Sequence, residues 1–379
     1  SQNPVAGSSV APGSAVDLTV SLGPAPVVVP DVVGQPQATA EAAIVGASLT
    51  VGTVSTANSD TVPVGDVISQ NPVAGSSVAS GSAVDLTVSL GPVAATLKLE
   101  TAVVTGVSSA GWTTVNLNNT YDSPVAACAA TYGNNVVPFV VRMQSAAGNS
   151  LQLNLQNPSG LAVNDETVHC LVVEQGAWKL PDGRNIEAQK YASTVTDASG
   201  SLTGQAQTYL QSYTNPVVIG QVMSYKDPGW STFWCRGSNR RSPPSASVLF
   251  SGKHVAEDSN VTRADETVGF IVIEAGNGSV NGVAYETALG PDTVRGIDNG
   301  PPYNYTFNQG FGTVPAVAIA SQAAMDGSNG SWAYLFGGAP LTPGQIGLVV
   351  DEDQVRDGER RHGTEQVAYI VFDQPLTIN

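Results

Sequence analysis

A chain of 379 residues is long enough to hold several domains with separate hydrophobic cores. Hydrophobic residues make up 42% and charged residues 12%, which excludes a disordered chain, and no apolar run approaches the roughly 18 residues that a membrane-spanning helix needs. The 15 basic and 31 acidic residues give a net charge of −16, which argues against nucleic acid and anionic membranes as partners. The acidic balance favours a solvated surface and also admits divalent cations as ligands.

Glycine and proline are plentiful, at 40 and 24 residues. With frequent valine, threonine and serine, this composition is typical of many short strands joined by turns, so we expect a mainly β protein. The three cysteines show no C-x-x-C spacing and are too few for a disulfide framework. Cys128 and Cys170 lie in two strand-like runs that could pair, although the favoured interpretation is that all three cysteines are buried free thiols.

The N-terminal region contains an internal repeat. Residues 1–24 recur at 69–92 with one change, Pro12 to Ser80, and the period is 68 residues. A period of that length is the size of a small domain. Residues 1–24 therefore correspond to the C-terminal half of a repeat and residues 27–92 to a complete one. We expect the other half of the first repeat either upstream in a longer chain or from a neighbouring chain.

The complete repeat has three motifs in a fixed order. It opens with VVVPDVVGQ, continues with ATAEAAIVGASL, whose apolar residues are spaced for one short amphipathic helix, and ends with strand-like runs. The PDVVG start, the VISQNPVAGSSV centre and the GSAVDLTVSLG end closely resemble the PASTA family over roughly residues 1–92. The resemblance implies a small α+β unit with one helix on a three-stranded sheet. PASTA modules are associated with binding muropeptides or β-lactams, but near-identical tandem copies favour a spacer.

From about Thr96 three segments share a second plan. Each supplies a buried strand that starts near a proline, a hairpin-like strand, an alternating strand and a closing strand that starts with a glutamate. The intervals from proline to glutamate are 42, 50 and 50 residues, for Pro124–Glu166, Pro216–Glu266 and Pro315–Glu365. Runs such as VHCLVVE are apolar on both faces, as central strands of a sandwich are. We therefore predict three antiparallel β-sandwich domains at residues 96–191, 205–289 and 302–379, joined by linkers rich in Gly, Ser, Asp or Pro.

The three segments resemble the H-type lectin family, most clearly in the third one. There YTFNQGFGTVPAVAIAS is followed by a Trp-bearing strand and by QVAYIVF, where that family closes with an aromatic strand. The resemblance implies a pseudo-trimer built within one chain and sugar binding, often of N-acetylgalactosamine, along the edges between copies. The family's sugar-binding positions are not carried over onto this chain.

The densest polar segment is DEDQVRDGERRHGTE, at residues 351–365. Hard oxygen ligands at this spacing could hold Ca²⁺, although no cofactor is required. The arginines of the same segment could instead pair with the carboxylates, and the order of an EF-hand loop is absent, so ion pairs are the favoured interpretation. The candidate metal ligands are Asp351, Glu352, Asp353, Asp357, Glu359 and His362.

No catalytic motif stands out. The three histidines occupy non-equivalent positions in the three segments, and the sequence contains no G-x-S-x-G elbow, phosphate-binding glycine loop or H-E-x-x-H. The recurrent acids Glu166, Glu266 and Glu365 are more typical of an architectural role, such as accepting backbone N–H groups at a turn. We predict a protein without enzymatic activity.

Aromatic residues in glycine-rich turns are the candidates for sugar binding. Tryptophans in a sandwich more often fill the core, but two of the five flank the turns KDPGWS and GSNGSW. The predicted carbohydrate-binding residues are Trp230 with Lys226 and Asp227, and Trp332 with Asp326 and Asn329.

These features predict an extracellular or cell-surface bacterial protein in which PASTA spacers present lectin-like sandwiches for carbohydrate binding or adhesion. The expected partners are glycans or a cell-wall polymer and copies of the chain itself, with no nucleic acid and no membrane insertion. The alternative is a structural subunit of an extracellular filament or appendage, assembled through its β-domains. A third hypothesis is an accessory region of an enzyme whose catalytic part lies upstream.

Overall fold

The computed structural model describes residues 1–92 and 96–379. The chain forms two compact units, one before Thr96 and one that spans Thr96–Asn379. The fold is mainly β, as the sequence predicts. In the described residues no helix is both long enough and apolar enough to cross a membrane.

Within residues 1–92 the first unit contains one helix and seven strands. The complete repeat forms a three-stranded sheet in the order β4–β7–β5, in which β4 and β7 are parallel and β5 is antiparallel to β7. The helix buries Ala40 and Ile44 against a core that includes Leu86, which is the predicted arrangement of one helix on a three-stranded sheet. The elements are β1 Gln2–Asn3, β2 Asp17–Leu18, β3 Val27–Val28, α1 Gln37–Gly46, β4 Thr50–Ala57, β5 Val67–Asn71, β6 Ser77–Val78 and β7 Ala83–Ser89.

The half-repeat at residues 1–24 forms a hairpin without a core. Its strands β1 and β2 pair through Gln2 and Leu18. Leu18 is 70% exposed, whereas its equivalent in the complete repeat, Leu86, is 1% exposed. The same apolar side chain is therefore buried only where the helix and the rest of the sheet accompany it.

The second unit consists of strands, the longest of 17 residues, with one 3-10 turn, Ile297–Asn299. Its strands are β8 Leu99–Val107, β9 Thr113–Tyr121, β10 Pro124–Tyr132, β11 Val140–Gln156, β12 Glu166–Glu174, β13 Gly176–Lys179, β14 Asn185–Ser193, β15 Thr196–Asp197, β16 Gln205–Gln207, β17 Pro216–Val222, β18 Thr232–Arg236, β19 Leu249–His254, β20 Glu266–Glu274, β21 Gly276–Val280, β22 Val283–Leu289, β23 Tyr303–Thr306, β24 Val317–Gln322, β25 Trp332–Phe336, β26 Leu341–Thr342, β27 Gln345–Asp351, β28 Val367–Phe372 and β29 Thr377–Ile378.

Three sheets of this unit follow one strand order. They run β29–β8–β12–β10, β13–β14–β20–β17 and β21–β22–β28–β24, and the first continues through β25 into β27 and β23. One central strand of each sheet is a closing strand: β12, β20 or β28. The other is β8, β14 or β22, which precedes β10, β17 or β24 in the chain. Strands β10, β17 and β24, which start the three copies, pack against one another. Since every residue of β10 and β17 is buried, these strands form the centre of the unit.

The three copies exchange strands, which corrects the prediction of three separate sandwiches at 96–191, 205–289 and 302–379. The hairpin β13–β14 follows the closing strand of copy 1 but pairs with β20 of copy 2 through Ile186 and Ile273. The hairpin β21–β22 likewise pairs with β28 of copy 3. The last strand, β29, returns to β8 of copy 1. The copies therefore form one closed three-repeat ring, because the strand that completes each sheet comes from the preceding copy. The sequence pattern reports which faces of a strand are apolar but not which strand lies beside it.

The recurrent prolines are equivalent in two of the three copies. Pro124 and Pro216 begin β10 and β17 and lie opposite Glu174 and Glu274. Pro315 lies two residues before the first residue of β24. Each buried strand therefore starts near its proline, as predicted, with an offset of two residues in the third copy.

Arginine side chains cross all three junctions of the ring. Each donates hydrogen bonds to backbone carbonyls in the loop that follows the first buried strand of the next copy. They are Arg142 to Asp227 and Gly229, Arg240 to Met325, Asp326 and Gly327, and Arg360 to Val136.

Cys128 and Cys170 form a disulfide between the adjacent strands β10 and β12. This corrects the interpretation of these two cysteines as free thiols. Both are buried, and Cys235 is a buried free thiol. Antiparallel pairing placed the two cysteines directly opposite each other, a register that the sequence alone does not reveal.

Candidate functional site

The recurrent glutamates are structural. Glu166 accepts hydrogen bonds from the backbone N–H groups of residues 133 and 134, at 2.9 and 2.8 Å. Glu266 accepts those of residues 226 and 227, and Glu365 accepts those of residues 326 and 327. The architectural prediction for these acids is confirmed, because each one closes the turn after the first buried strand of its own copy.

The predicted tryptophan sites are wrong in one essential respect. Trp230 and Trp332 are only 2% and 5% exposed, and their rings pack edge to face with centroids 5.5 Å apart. The two glycine-rich turns fold inward from neighbouring copies, so each ring covers the other. A sugar has no access to either ring face, and Lys226, Asp227, Asp326 and Asn329 therefore do not flank an exposed tryptophan.

The predicted metal ligands of the 351–365 segment pair with other groups. Arg360 forms a buried ion pair with Asp351, and Asp353 accepts the backbone N–H of Glu257 at 2.7 Å. Asp357 and Glu359 are exposed. Over residues 1–92 and 96–379 no group of three or more His, Cys, Asp or Glu side chains is arranged to hold a metal ion. The six residues do not form one metal site in this structure, and Ca²⁺ binding by the segment stays a prediction for titration.

His362 has a different role from that of a metal ligand. Its ring nitrogens lie 3.2 Å from Glu352 and 2.7 Å from Glu365. Burial alone would lower its pKa, but hydrogen bonds to the two carboxylates and their charges outweigh burial and raise the pKa of His362 to about 9. At neutral pH the imidazolium therefore joins two carboxylates of the third copy.

A partly exposed pair of aromatic rings lies instead at the junction of copies 1 and 2. Trp112 comes from the turn before β9 and is half-buried, while Tyr225 follows β17 and is 38% exposed. Their rings meet edge to face with centroids 5.1 Å apart. The guanidinium carbon of Arg142 lies 4.8 Å from the centre of the Tyr225 ring, so a buried cation fixes the ring that the junction presents to solvent.

Amide side chains line the cavity beside this aromatic pair. The cavity has a volume of about 340 Å³ and is bordered by Tyr225, Asn154, Gln156, Asn157 and Leu161, among others. Asn154 donates to two carbonyls, at 3.1 and 2.8 Å, and Gln156 donates to the carbonyl of residue 228 in copy 2 at 2.8 Å. The polar groups are thus held in place by the fold before any ligand arrives.

The sequence interpretation treats Trp112 as a core residue and does not single out Tyr225. Tyr225 directly precedes the predicted Lys226, so the partly exposed aromatic residue lies in the same turn as the predicted residues. The sequence signal for Tyr225 is its position in the turn. Tyr225 comes just after the buried strand, whereas Trp230 comes at the far end of the turn. We call the cavity together with Trp112, Tyr225 and Arg142 the aromatic groove.

The family profile and the curated relatives match the PASTA region of the chain. A family profile of the PASTA domain matches residues 27–90, so this segment is a PASTA domain. A probable serine/threonine-protein kinase of Corynebacterium efficiens is 43% identical over 91 residues, which are 24% of this chain and 14% of that protein. A second probable kinase, from Clostridium acetobutylicum, is 39% identical over 80 residues, 21% of this chain and 12% of that protein. The chain thus spans less than a sixth of the length of these curated relatives.

Two solved structures from Staphylococcus aureus are also similar to the chain. One is the three-PASTA-domain part of a Ser/Thr kinase, with 19% identity and a TM-score of 0.18, covering 34% of this chain and 64% of that one. The other is the entire extracellular region of the Ser/Thr kinase PrkC, with 22% identity and a TM-score of 0.21, covering 46% of this chain and 57% of that one.

Proposed function

We propose that this chain is a non-catalytic extracellular protein that binds carbohydrate at the aromatic groove and cell-wall polymer through its PASTA domain. The observation that carries the proposal is the partly exposed Trp112–Tyr225 pair beside amide side chains that are already fixed. A sugar ring has an apolar C–H face, which stacks on an aromatic ring, and hydroxyl groups, which bond to amides. The resemblance of the three copies to H-type lectins supports the same chemistry.

Two further observations support an extracellular location. PASTA domains are found in the extracellular regions of kinases and bind cell-wall peptidoglycan. The disulfide between Cys128 and Cys170 is independent of that likeness, and disulfides persist mainly in oxidising compartments outside the cytosol. An oxidising location and a wall-binding domain agree with each other.

The aromatic groove is tested with a glycan array probed by the whole chain and by two variants. Trp112→Ala removes half of the aromatic pair, and we expect it to weaken array binding about tenfold, which corresponds to about 1.4 kcal/mol. Trp112→Phe keeps an aromatic ring and should retain most of the binding. Array binding that is unchanged in Trp112→Ala would place the carbohydrate site elsewhere.

Sedimentation with insoluble peptidoglycan tests the wall-binding part separately. We expect the native chain and Trp112→Ala to sediment equally, because the substitution lies outside the PASTA domain. A chain that stays in the supernatant at every peptidoglycan concentration would refute wall binding and leave the groove hypothesis intact.

A further inference from the structure

The three junction arginines differ in how their charge is balanced. Arg142 lies 3.7 Å from Glu266 and is fully buried. Arg360 is paired with Asp351 in the core. Arg240 spans the junction of copies 2 and 3 in the same way, but no carboxylate of the described residues lies within salt-bridge distance of it. One of three comparable guanidinium groups thus lacks the anion that accompanies the other two.

Arg240 borders an open cavity at the junction of copies 2 and 3. The cavity has a volume of about 400 Å³ and is lined by Gly200, Ser201, Leu202, Thr203, Arg240 and Ser328. This size is within the range of sites for small ligands. Three of the six residues carry hydroxyl groups and none carries a carboxylate. A lining with one positive charge and no carboxylate favours an anion over a cation.

The guanidinium group is held in a fixed position. Nη1 of Arg240 donates to the carbonyls of residues 325, 326 and 327 at 2.7, 2.7 and 2.9 Å. An arginine has five N–H donors, so the bonds from Nη1 leave those of Nε and Nη2 for a ligand. A guanidinium edge with two parallel donors matches the two oxygens of a carboxylate or phosphate.

The opposite wall of the cavity is also fixed. Asp197 accepts hydrogen bonds from the backbone N–H groups of Thr203 and Gly204, at 3.0 and 2.9 Å. It also accepts one from the indole of Trp234, whose side chain is fully buried. Leu202 packs with Trp234 and Met325 beneath the cavity. Because both walls are fixed in this way, little ordering is needed when a ligand binds.

We propose that the Arg240 cavity binds an oxyanion group of a surface polymer, either the carboxylate of an acidic sugar or the phosphate of a phosphodiester. The oxyanion supplies the counter-charge that Glu266 gives to Arg142 and that Asp351 gives to Arg360. Ser201 and Ser328 line the same cavity, beside the position of the adjoining part of the polymer. This site is independent of the aromatic groove, which lies at a different junction and suits a neutral sugar.

The test is titration calorimetry of the whole chain at constant ionic strength, with trigalacturonate and glycerophosphoglycerol, a phosphodiester, as separate probes and sodium chloride as the reference. We expect saturable binding of one probe with a dissociation constant of about 1 mM. Trigalacturonate binding alone identifies a sugar acid, and glycerophosphoglycerol binding alone identifies a phosphodiester. Saturable binding of neither probe would overturn the proposal.

Variants test whether the bound anion lies in the Arg240 cavity. Arg240→Gln should weaken binding at least tenfold, while Arg241→Gln, which removes the same charge from the exposed next residue, should leave it unchanged. Ser328→Asp supplies an internal carboxylate at the cavity and should abolish binding without loss of folding, so it decides the matter even where Arg240→Gln is unstable. Undiminished binding in Ser328→Asp, or equal losses in Arg240→Gln and Arg241→Gln, would overturn the proposal.

Discussion

The last strand closes the three-repeat ring, so removing a buried side chain beside it should lower the free energy of unfolding. Leu376, just before β29, is 2% exposed and belongs to the main core. It exchanges two hydrogen bonds with Thr101 of β8, both at 2.9 Å. Leu376→Ala keeps the backbone bonds and leaves a cavity where the last strand meets the first.

The expected cost follows from burial. A leucine-to-alanine change in a core costs about 2 to 5 kcal/mol, and we expect about 3 kcal/mol here because the site lies at the end of a sheet. Leu210 is 52% exposed, so Leu210→Ala is a matched control that should change stability by no more than about 0.5 kcal/mol.

Urea denaturation followed by tryptophan fluorescence measures this loss directly. All five tryptophans lie after Thr96, so the signal reports the three-repeat ring and not the PASTA domain. The midpoint of Leu376→Ala should fall clearly below those of the native chain and of Leu210→Ala. Equal midpoints in the two variants would show that the last strand does not contribute to closing the ring.

Three further measurements are predicted. The pKa of His362 is raised from 6.5 to about 9. Its contribution to the free energy of unfolding is therefore full below pH 6.5 and is lost as the pH rises towards 9. His362→Gln should flatten that decline in stability to urea. Burial lowers the pKa of His254 to about 3. The contribution of the neutral imidazole to the free energy of unfolding is therefore lost as the pH falls from 6.5 towards 3. His254→Gln should flatten the loss of stability to urea at acid pH. If the 351–365 segment binds Ca²⁺, added Ca²⁺ raises the melting temperature and EDTA reverses it, whereas a constant melting temperature assigns the segment to ion pairs alone. Cys235 is fully buried and its pKa is raised by burial, so a maleimide should label it only after denaturation, and labelling of the native chain would contradict the fold.

The sequence predicts local features better than it predicts neighbours. The order of motifs in residues 27–92 is sufficient for the PASTA domain because one segment contains the whole core. The acids Glu166, Glu266 and Glu365 are predictable because each binds a turn of its own copy. A second set, Glu100, Glu187 and Glu286, also accepts backbone N–H groups but is not predicted.

Features that join two copies are the ones that the sequence does not reveal. Trp230 and Trp332 look exposed because each flanks a glycine-rich turn, and only the meeting of two copies buries them. Trp112 and Tyr225 form a groove for the same reason, since they come from different copies. A pattern along one strand specifies burial and direction, whereas the contact between copies depends on strand exchange.

The pairing of Leu99 with Ile378 places both ends of the second unit in one sheet. A polypeptide whose first and last strands are neighbours tolerates circular permutation, because its ends can be joined and the chain opened at a surface loop. Linking residue 379 to residue 96 and opening the chain at the exposed residues 291–293 is expected to give a circular permutant with the same three sheets. The order in which the copies are encoded is therefore separable from the architecture that they build.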